Sequence, residues 1–143
     1  MQHTFGHMAI RVRDVEAAAA FYADMFGFKE LFRMSDDNGK ASLIAVQIAN
    51  RQFLELVEGG DEPSSAGGPA AGFLHICFET GDVDAMYRSL QEKETFTDGE
   101  PRLGKSGSRF FFTRDLDGNS IEFVQILPGS LQDRAFRGLT AGA

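Results

Sequence analysis

Apolar and polar residues alternate through FGHMAIRV, residues 5 to 12. Period-two alternation marks a half-buried strand, with Met8, Ile10 and Val12 on one face and His7, Ala9 and Arg11 on the other. The period then lengthens. In VEAAAAFYADMF the residues Val15, Ala18, Ala19, Tyr22, Met25 and Phe26 fall on one helical stripe. Asp14 suits the N-cap, where its carboxylate accepts from orphan N–H groups of the first turn, and Gly27 suits the left-handed stop. Three strand-like runs follow, FKELFRMS, ASLIAVQIA and RQFLELVE, separated by DDNG and by Asn50.

The same order returns further along. FLHICFET reads as a strand. DVDAMYRSLQEK reads as a helix with Val83, Met86, Tyr87 and Leu90 inward. A weak strand is expected near residues 95–97, and SRFFFTR and NSIEFVQI as two more joined by the turn DLDG. Between the halves, GGDEPSSAGGPAAG has no apolar period and reads as a flexible connection. DGEPRLGKSGS, residues 98–108, reads as a second loop, and nothing after residue 127 reads as a clear element. The predicted organisation is one domain, 1–143, built of a first βαβββ module (5–58), a linker (59–72), a second βαβββ module (73–127) and a C-terminal tail (128–143) that packs on a partner. The fold class is α+β: two tandem modules forming curved, incompletely closed mixed sheets around a cleft.

The repeat carries the chemistry. A shift of 68 places lays His7 on His75, Asp14 on Asp82 and Val15 on Val83. A shift of 67 lays FLELVE on SIEFVQ and Glu55 on Glu122. In each half the His and the Glu sit on the strand face opposite Met8/Ile10/Val12, Leu54/Leu56, Leu74/Ile76/Phe78 or Ile121/Phe123. Those apolar faces need the helices, so the four polar side chains look away from them, into the cleft. Two imidazoles and two carboxylates suit a borderline divalent cation: Zn, Ni, Co, Fe or Mn. A lone strand His or Glu is ordinarily solvated, and it is the repetition that singles this set out. His3 has no counterpart and reads as a surface residue. Cys77 shares the cleft face and reads as a small packed residue rather than a fifth ligand. Arg11, on the His7 face, suits a substrate carboxylate. Lys105 and Arg109 flank a glycine-rich loop that could close on an anionic substrate.

Bulk properties narrow the partners. A net charge of −7 disfavours nucleic acid and anionic membrane as ligands. One cysteine among 143 residues leaves no internal disulfide, which fits a reducing compartment. No basic stretch leads into an apolar run near the start, and no run approaches bilayer length. A cytoplasmic location and a small-molecule substrate are expected.

The stretches HMAIRVRDVEAAAAFYADMFGF, FLELVE, LHICFETGDVDA and TRDLDGNSIEF resemble the vicinal oxygen chelate superfamily, and within it the glyoxalase I (lactoylglutathione lyase) branch. The resemblance extends to about residue 126. It implies a homodimer in which each metal takes His7 and Glu55 from one subunit and His75 and Glu122 from the other, although a site within one chain also occurs in the superfamily. It implies a lyase that converts the methylglyoxal–glutathione hemithioacetal to S-lactoylglutathione through an enediolate, with Glu122 as base and Glu55 as a second carboxylate. It suggests Ni or Co, as in compact bacterial enzymes, over Zn, Fe or Mn. Methylmalonyl-CoA epimerases resemble the chain too but usually carry Gln at the position of Glu55. The superfamily also includes extradiol-type iron dioxygenases, which here would use His7, His75 and Glu122, and non-catalytic small-molecule binding or resistance proteins. One departure stands out: where glyoxalase I commonly has an aromatic residue and then Asn shortly after the first glutamate, this chain has Glu58 and Gly59.

Overall fold

The computed structural model describes residues 2–62 and 71–138, so the centre of the expected linker lies outside the described residues. The chain divides into two compact units, one formed by residues up to 62 with Asp115–Gly118, the other by 71–114 and 119–138.

In the first unit, β1 (His7–Val12) leads into α1 (Val15–Phe26), followed by β2 (Lys29–Ser35), β3 (Ala41–Ala49) and β4 (Gln52–Glu58). The four strands make an open mixed sheet in the order β1-β4-β3-β2, with β1 parallel to β4 and the other pairings antiparallel. Helix α1 begins where the sequence places it. The Asp14 carboxylate accepts from the Ala17 N–H at 3.0 Å, and Gly27 closes the helix at φ +73°, a conformation that costs a side-chain-bearing residue energy. The α1 stripe of Val15, Ala18 and Tyr22 is buried with Val12, Ile44, Val46, Leu54 and Leu56. Fully burying one such aliphatic side chain is worth about 1.5–3 kcal/mol, so this face holds the helix on the sheet.

The second unit repeats the plan with β5 (Ile76–Glu79), α2 (Val83–Glu92), β6 (Thr97–Leu103), β7 (Arg109–Arg114) and β8 (Ser120–Gln125), in sheet order β5-β8-β7-β6. Asp82 caps α2 through the Ala85 N–H. Its core is Phe78, Val83, Leu90, Phe111, Ile121 and Phe123, with the Phe111 and Phe123 rings stacked at 5.6 Å. A second cap is also repeated. Glu58, at the end of β4, accepts from the Val15 N–H at 2.7 Å, and Gln125, at the end of β8, accepts from the Val83 N–H at 3.1 Å. Each module thus ties its last strand to the first turn of its own helix.

Two expectations are corrected. The segment 98–108 is not loop throughout: β6 runs to Leu103, with Pro101 inside it. Strand β6 lies at the sheet edge and its pairing with β7 is irregular between Asp98 and Arg102, a setting where proline's missing N–H is tolerated. The tail is not featureless either. A short helix α3 (Leu131–Phe136) is capped by Ser130, whose hydroxyl accepts from the Asp133 N–H. No helix among the described residues is long and apolar enough to cross a membrane.

Candidate functional site

Strand register sets the site. In the parallel β1–β4 pair His7 lies across from Phe53 and Ala9 across from Glu55. In the parallel β5–β8 pair Cys77 lies across from Glu122, with His75 two residues before it. Each Glu therefore sits diagonally ahead of its His on the same face, away from the helix. His7 Nε2 and Glu55 Oε2 are 3.7 Å apart, and His75 Nε2 and Glu122 Oε2 are 2.9 Å apart. The structure brings the four expected ligands together two by two, one pair in each unit. Among the described residues no three His, Cys, Asp or Glu side chains are gathered into a group able to hold a metal ion.

The donor geometry of each pair fits a cation. Ligand bonds of about 2.0–2.2 Å put neighbouring donors of a tetrahedral or octahedral ion roughly 2.9–3.5 Å apart. The second pair falls within that interval and the first lies just beyond it, within a small side-chain rotation. The charge also fits. Both carboxylate side chains are only 19% exposed, and among the described residues neither meets a lysine or arginine. A largely covered carboxylate without a cation is costly, and a divalent ion is one remedy.

The surroundings of the pairs are apolar on this face. The His7 ring stacks on Phe53 at 4.8 Å and 17°, and Phe32 meets Phe53 edge-on at 5.6 Å. His75 meets Phe112 edge-on at 5.3 Å. Cys77, read from sequence as a packed residue, is instead exposed, across from Glu122 in the β5–β8 pair. Desolvation of the sulfur, then the Glu122 carboxylate, push this thiol up to about 12.

The other expected residues fall in different places. Arg11 is exposed on the His7 face, across from Val57, with no hydrogen bond or ion pair among the described residues. Arg109 is not on the Glu122 face. It alternates with Phe110 and Phe112 along β7, and its guanidinium is clamped by both Asp84 oxygens on α2, at 2.8 and 3.0 Å. That pairing holds the Asp84 carboxyl below its usual range. Lys105 is exposed in a turn that α3 anchors: the Leu131 N–H donates to Ser106 O, and the Ser108 hydroxyl donates to Gln132. Gly107 in that turn has φ +86°, and a Cβ there would lie 3.2 Å from Ser130 Cα. His3 is exposed, as expected.

The apparent departure at Glu58 has a structural answer. Glu58 pairs across from Val12, so it lies on the helix face. Its carboxylate is taken up by the Val15 N–H and by Lys40 at 3.0 Å, and adds no negative charge beside Glu55.

Sequence reasoning missed the aromatic supports. Phe32 reaches the site face because β2 bulges. Glu30 pairs with Val46 and Phe32 with Ala45, leaving Leu31 unpaired and reversing the alternation. Its only signal in the sequence is an apolar pair, Leu31-Phe32, where strict alternation would give one.

Known proteins share this plan. The chain is 31% identical over 133 residues to an ethylmalonyl-CoA/methylmalonyl-CoA epimerase of Cereibacter sphaeroides, covering 84% of this chain and 96% of that protein. It is 31% identical to the metallothiol transferase FosB of Lysinibacillus sphaericus, covering 92% and 86% respectively. The crystal structure of a lactoylglutathione lyase from Agrobacterium tumefaciens superposes with a TM-score of 0.66 at 26% identity, covering 87% of this chain and 94% of that one. Residues 4–123, which include the first module, the second as far as Phe123 and all four His and Glu residues, match the family described as Glyoxalase/Bleomycin resistance protein/Dioxygenase superfamily. With the duplicated βαβββ plan in its fold and that match over most of its length, the chain belongs to the glyoxalase/bleomycin resistance protein/dioxygenase superfamily.

Proposed function

We propose that this protein is a divalent-metal-dependent enzyme that moves a proton between carbons beside a carbonyl, and that its reaction is of the lactoylglutathione lyase type. The observation that carries the reading is the repeated His–Glu pair, set on the same register step in both modules. In this reading His7 and Glu55 of one subunit and His75 and Glu122 of a second copy hold one Ni, Co or Zn ion. Bound there, the ion polarises the substrate carbonyl and lowers the cost of negative charge on its oxygen.

Glu122 Oε2 takes the carbon-bound proton of the hemithioacetal and returns it to the neighbouring carbon, while a hydroxyl proton passes to the other oxygen. The step is an isomerisation, so no atom is gained or lost. The low exposure of Glu122 limits competition by water for that proton. Phe53 and Phe112 line the face with apolar rings, and Arg11, exposed and unpaired among the described residues, meets an anionic group of the substrate. Glu55, a carboxylate where related epimerases usually have Gln, favours the lyase. A second reading is epimerisation of an acyl-CoA thioester, which uses the same proton removal beside a carbonyl; the 31% identity to the Cereibacter epimerase supports it.

The test loads purified protein with Ni, Co or Zn and assays methylglyoxal with glutathione, and methylmalonyl-CoA in deuterium oxide. S-lactoylglutathione formation that falls about 100- to 10,000-fold in Glu122→Gln supports the lyase. Deuterium incorporation into methylmalonyl-CoA without lyase turnover selects the epimerase. Stoichiometric metal with neither activity overturns both.

A further inference from the structure

The two imidazoles are held differently. A metal-binding His ordinarily donates its second ring N–H to a carboxylate, carbonyl or water, which fixes the ring plane. His7 has no such protein acceptor among the described residues; besides Glu55, it meets the Phe53 ring, 4.8 Å away and within 17° of parallel. Phe53 lies directly across from His7 in the parallel pair, so the stack is set by register rather than by a flexible reach. Phe53 is in turn backed by Phe32 at 73°, and Phe32 is on this face only because of the bulge at Leu31.

The second module has no copy of this arrangement. The residue across from Phe112 on β6 is Asp98, where the first module has Phe32 across from Ala45. His75 meets Phe112 by its edge, at 81°. A repeat that keeps the His–Glu pair thus differs in what braces the His.

We propose that Phe53, supported by Phe32, is a positioning residue that fixes the plane of the His7 imidazole for metal binding, in place of a hydrogen-bonded partner. This rests on the reading of His7 as a ligand. Stacking restrains rotation about the Cβ–ring bond without consuming either ring nitrogen. Nε2 stays turned toward Glu55. Removing the ring leaves His7 able to reach the ion but free to rotate, so affinity falls by the cost of re-ordering it.

The experiment uses full-length protein and Co(II), whose visible absorption reports ligand geometry. Four proteins are compared by chelator competition and spectrum: parent, Phe53→Leu, Phe53→Tyr and His7→Ala. Phe53→Leu should weaken Co(II) binding about tenfold, in the range seen when outer-shell partners of a ligand are removed, and change the absorption bands. Phe53→Tyr, which keeps the stack, should restore both. In the metal-free protein the His7 ring protons should lose their upfield ring-current shift in Phe53→Leu, a readout that general destabilisation does not mimic while the fold is intact by circular dichroism. Phe32→Ala should give the same changes at smaller size. The proposal is overturned if Phe53→Leu binds Co(II) within twofold of the parent while His7→Ala loses it, and that result leaves the metal reading standing. If His7→Ala binds like the parent, His7 is not a ligand and both fall together.

Discussion

Replacing Tyr22 by Phe removes one oxygen from the interior of the first unit and almost nothing else. Tyr22 is fully buried, and its hydroxyl donates to Asp115 Oδ2 at 2.8 Å. Asp115, 8% exposed, begins the turn that precedes β8 and therefore Glu122. The ring keeps its packing in the variant, edge-on to Phe26 at 5.6 Å and stacked on Phe28 at 6.3 Å, so no cavity of consequence opens. The change is the loss of a hydrogen bond to a covered carboxylate, worth about 1.5–3 kcal/mol. For a chain of this size that lowers Tm by roughly 4–10 °C. Burial first, then Asp115, push the Tyr22 phenol well above its usual value. A phenol raised in the folded state contributes stability that is complete below the unfolded value of about 10 and is lost as pH rises through the folded one. Urea unfolding at neutral pH and again above pH 10 should show the parent's advantage over Tyr22→Phe shrinking in alkali. A difference under about 0.5 kcal/mol at neutral pH, at the level of ordinary surface substitutions, refutes the argument. So does an advantage that does not change with pH.

Two further substitutions probe the repeated scaffold. Glu58→Gln should keep the cap on α1, because Gln125 performs the same task in the second module; it loses only the pair with exposed Lys40 and should cost less than Glu58→Ala. Glu58→Ala removes the acceptor and should cost about 1–2 kcal/mol, with the gap between the two variants read by urea unfolding. The Asp84 carboxyl is held low by Arg109, so its contribution is present above its ordinary value of about 3.9 and disappears as pH falls through the lowered one. Acid titration should therefore show parent and Asp84→Asn differing slightly at neutral pH and converging at the acid end, since an exposed pair contributes little.

Much of this fold was legible because two kinds of local signal agree. Asp14 precedes an apolar stripe and caps as read, and Asp82, which the repeat lays on it, caps the second helix in the same way. The alternation in HMAIRV and SIEFVQ already separates the helix face from the face of His7 and Glu122. Where alternation breaks, the reading failed. Strand β6 contains Gly99 and Pro101 and is a strand only through its pairing with β7 at a sheet edge. Arg109 sits beside a glycine-rich loop in sequence, which suggested substrate; its parity on β7 turns it to Asp84. Glu58 stands as a departure from the lyase pattern in sequence for want of the same information.

The sequence by itself determined the duplication, the elements that carry a clear period and the identity and facing of two His and two Glu residues, because period, caps and repeats are properties of neighbours along the chain. Tertiary structure decided what surrounds them. That Glu55 follows His7 by two register steps, that a bulge at Leu31 brings Phe32 to Phe53, and that Tyr22 meets Asp115 93 residues away all depend on pairings between distant strands and turns. A one-residue change in such a pairing reverses every side chain beyond it, and no local pattern records which pairing the packed core prefers.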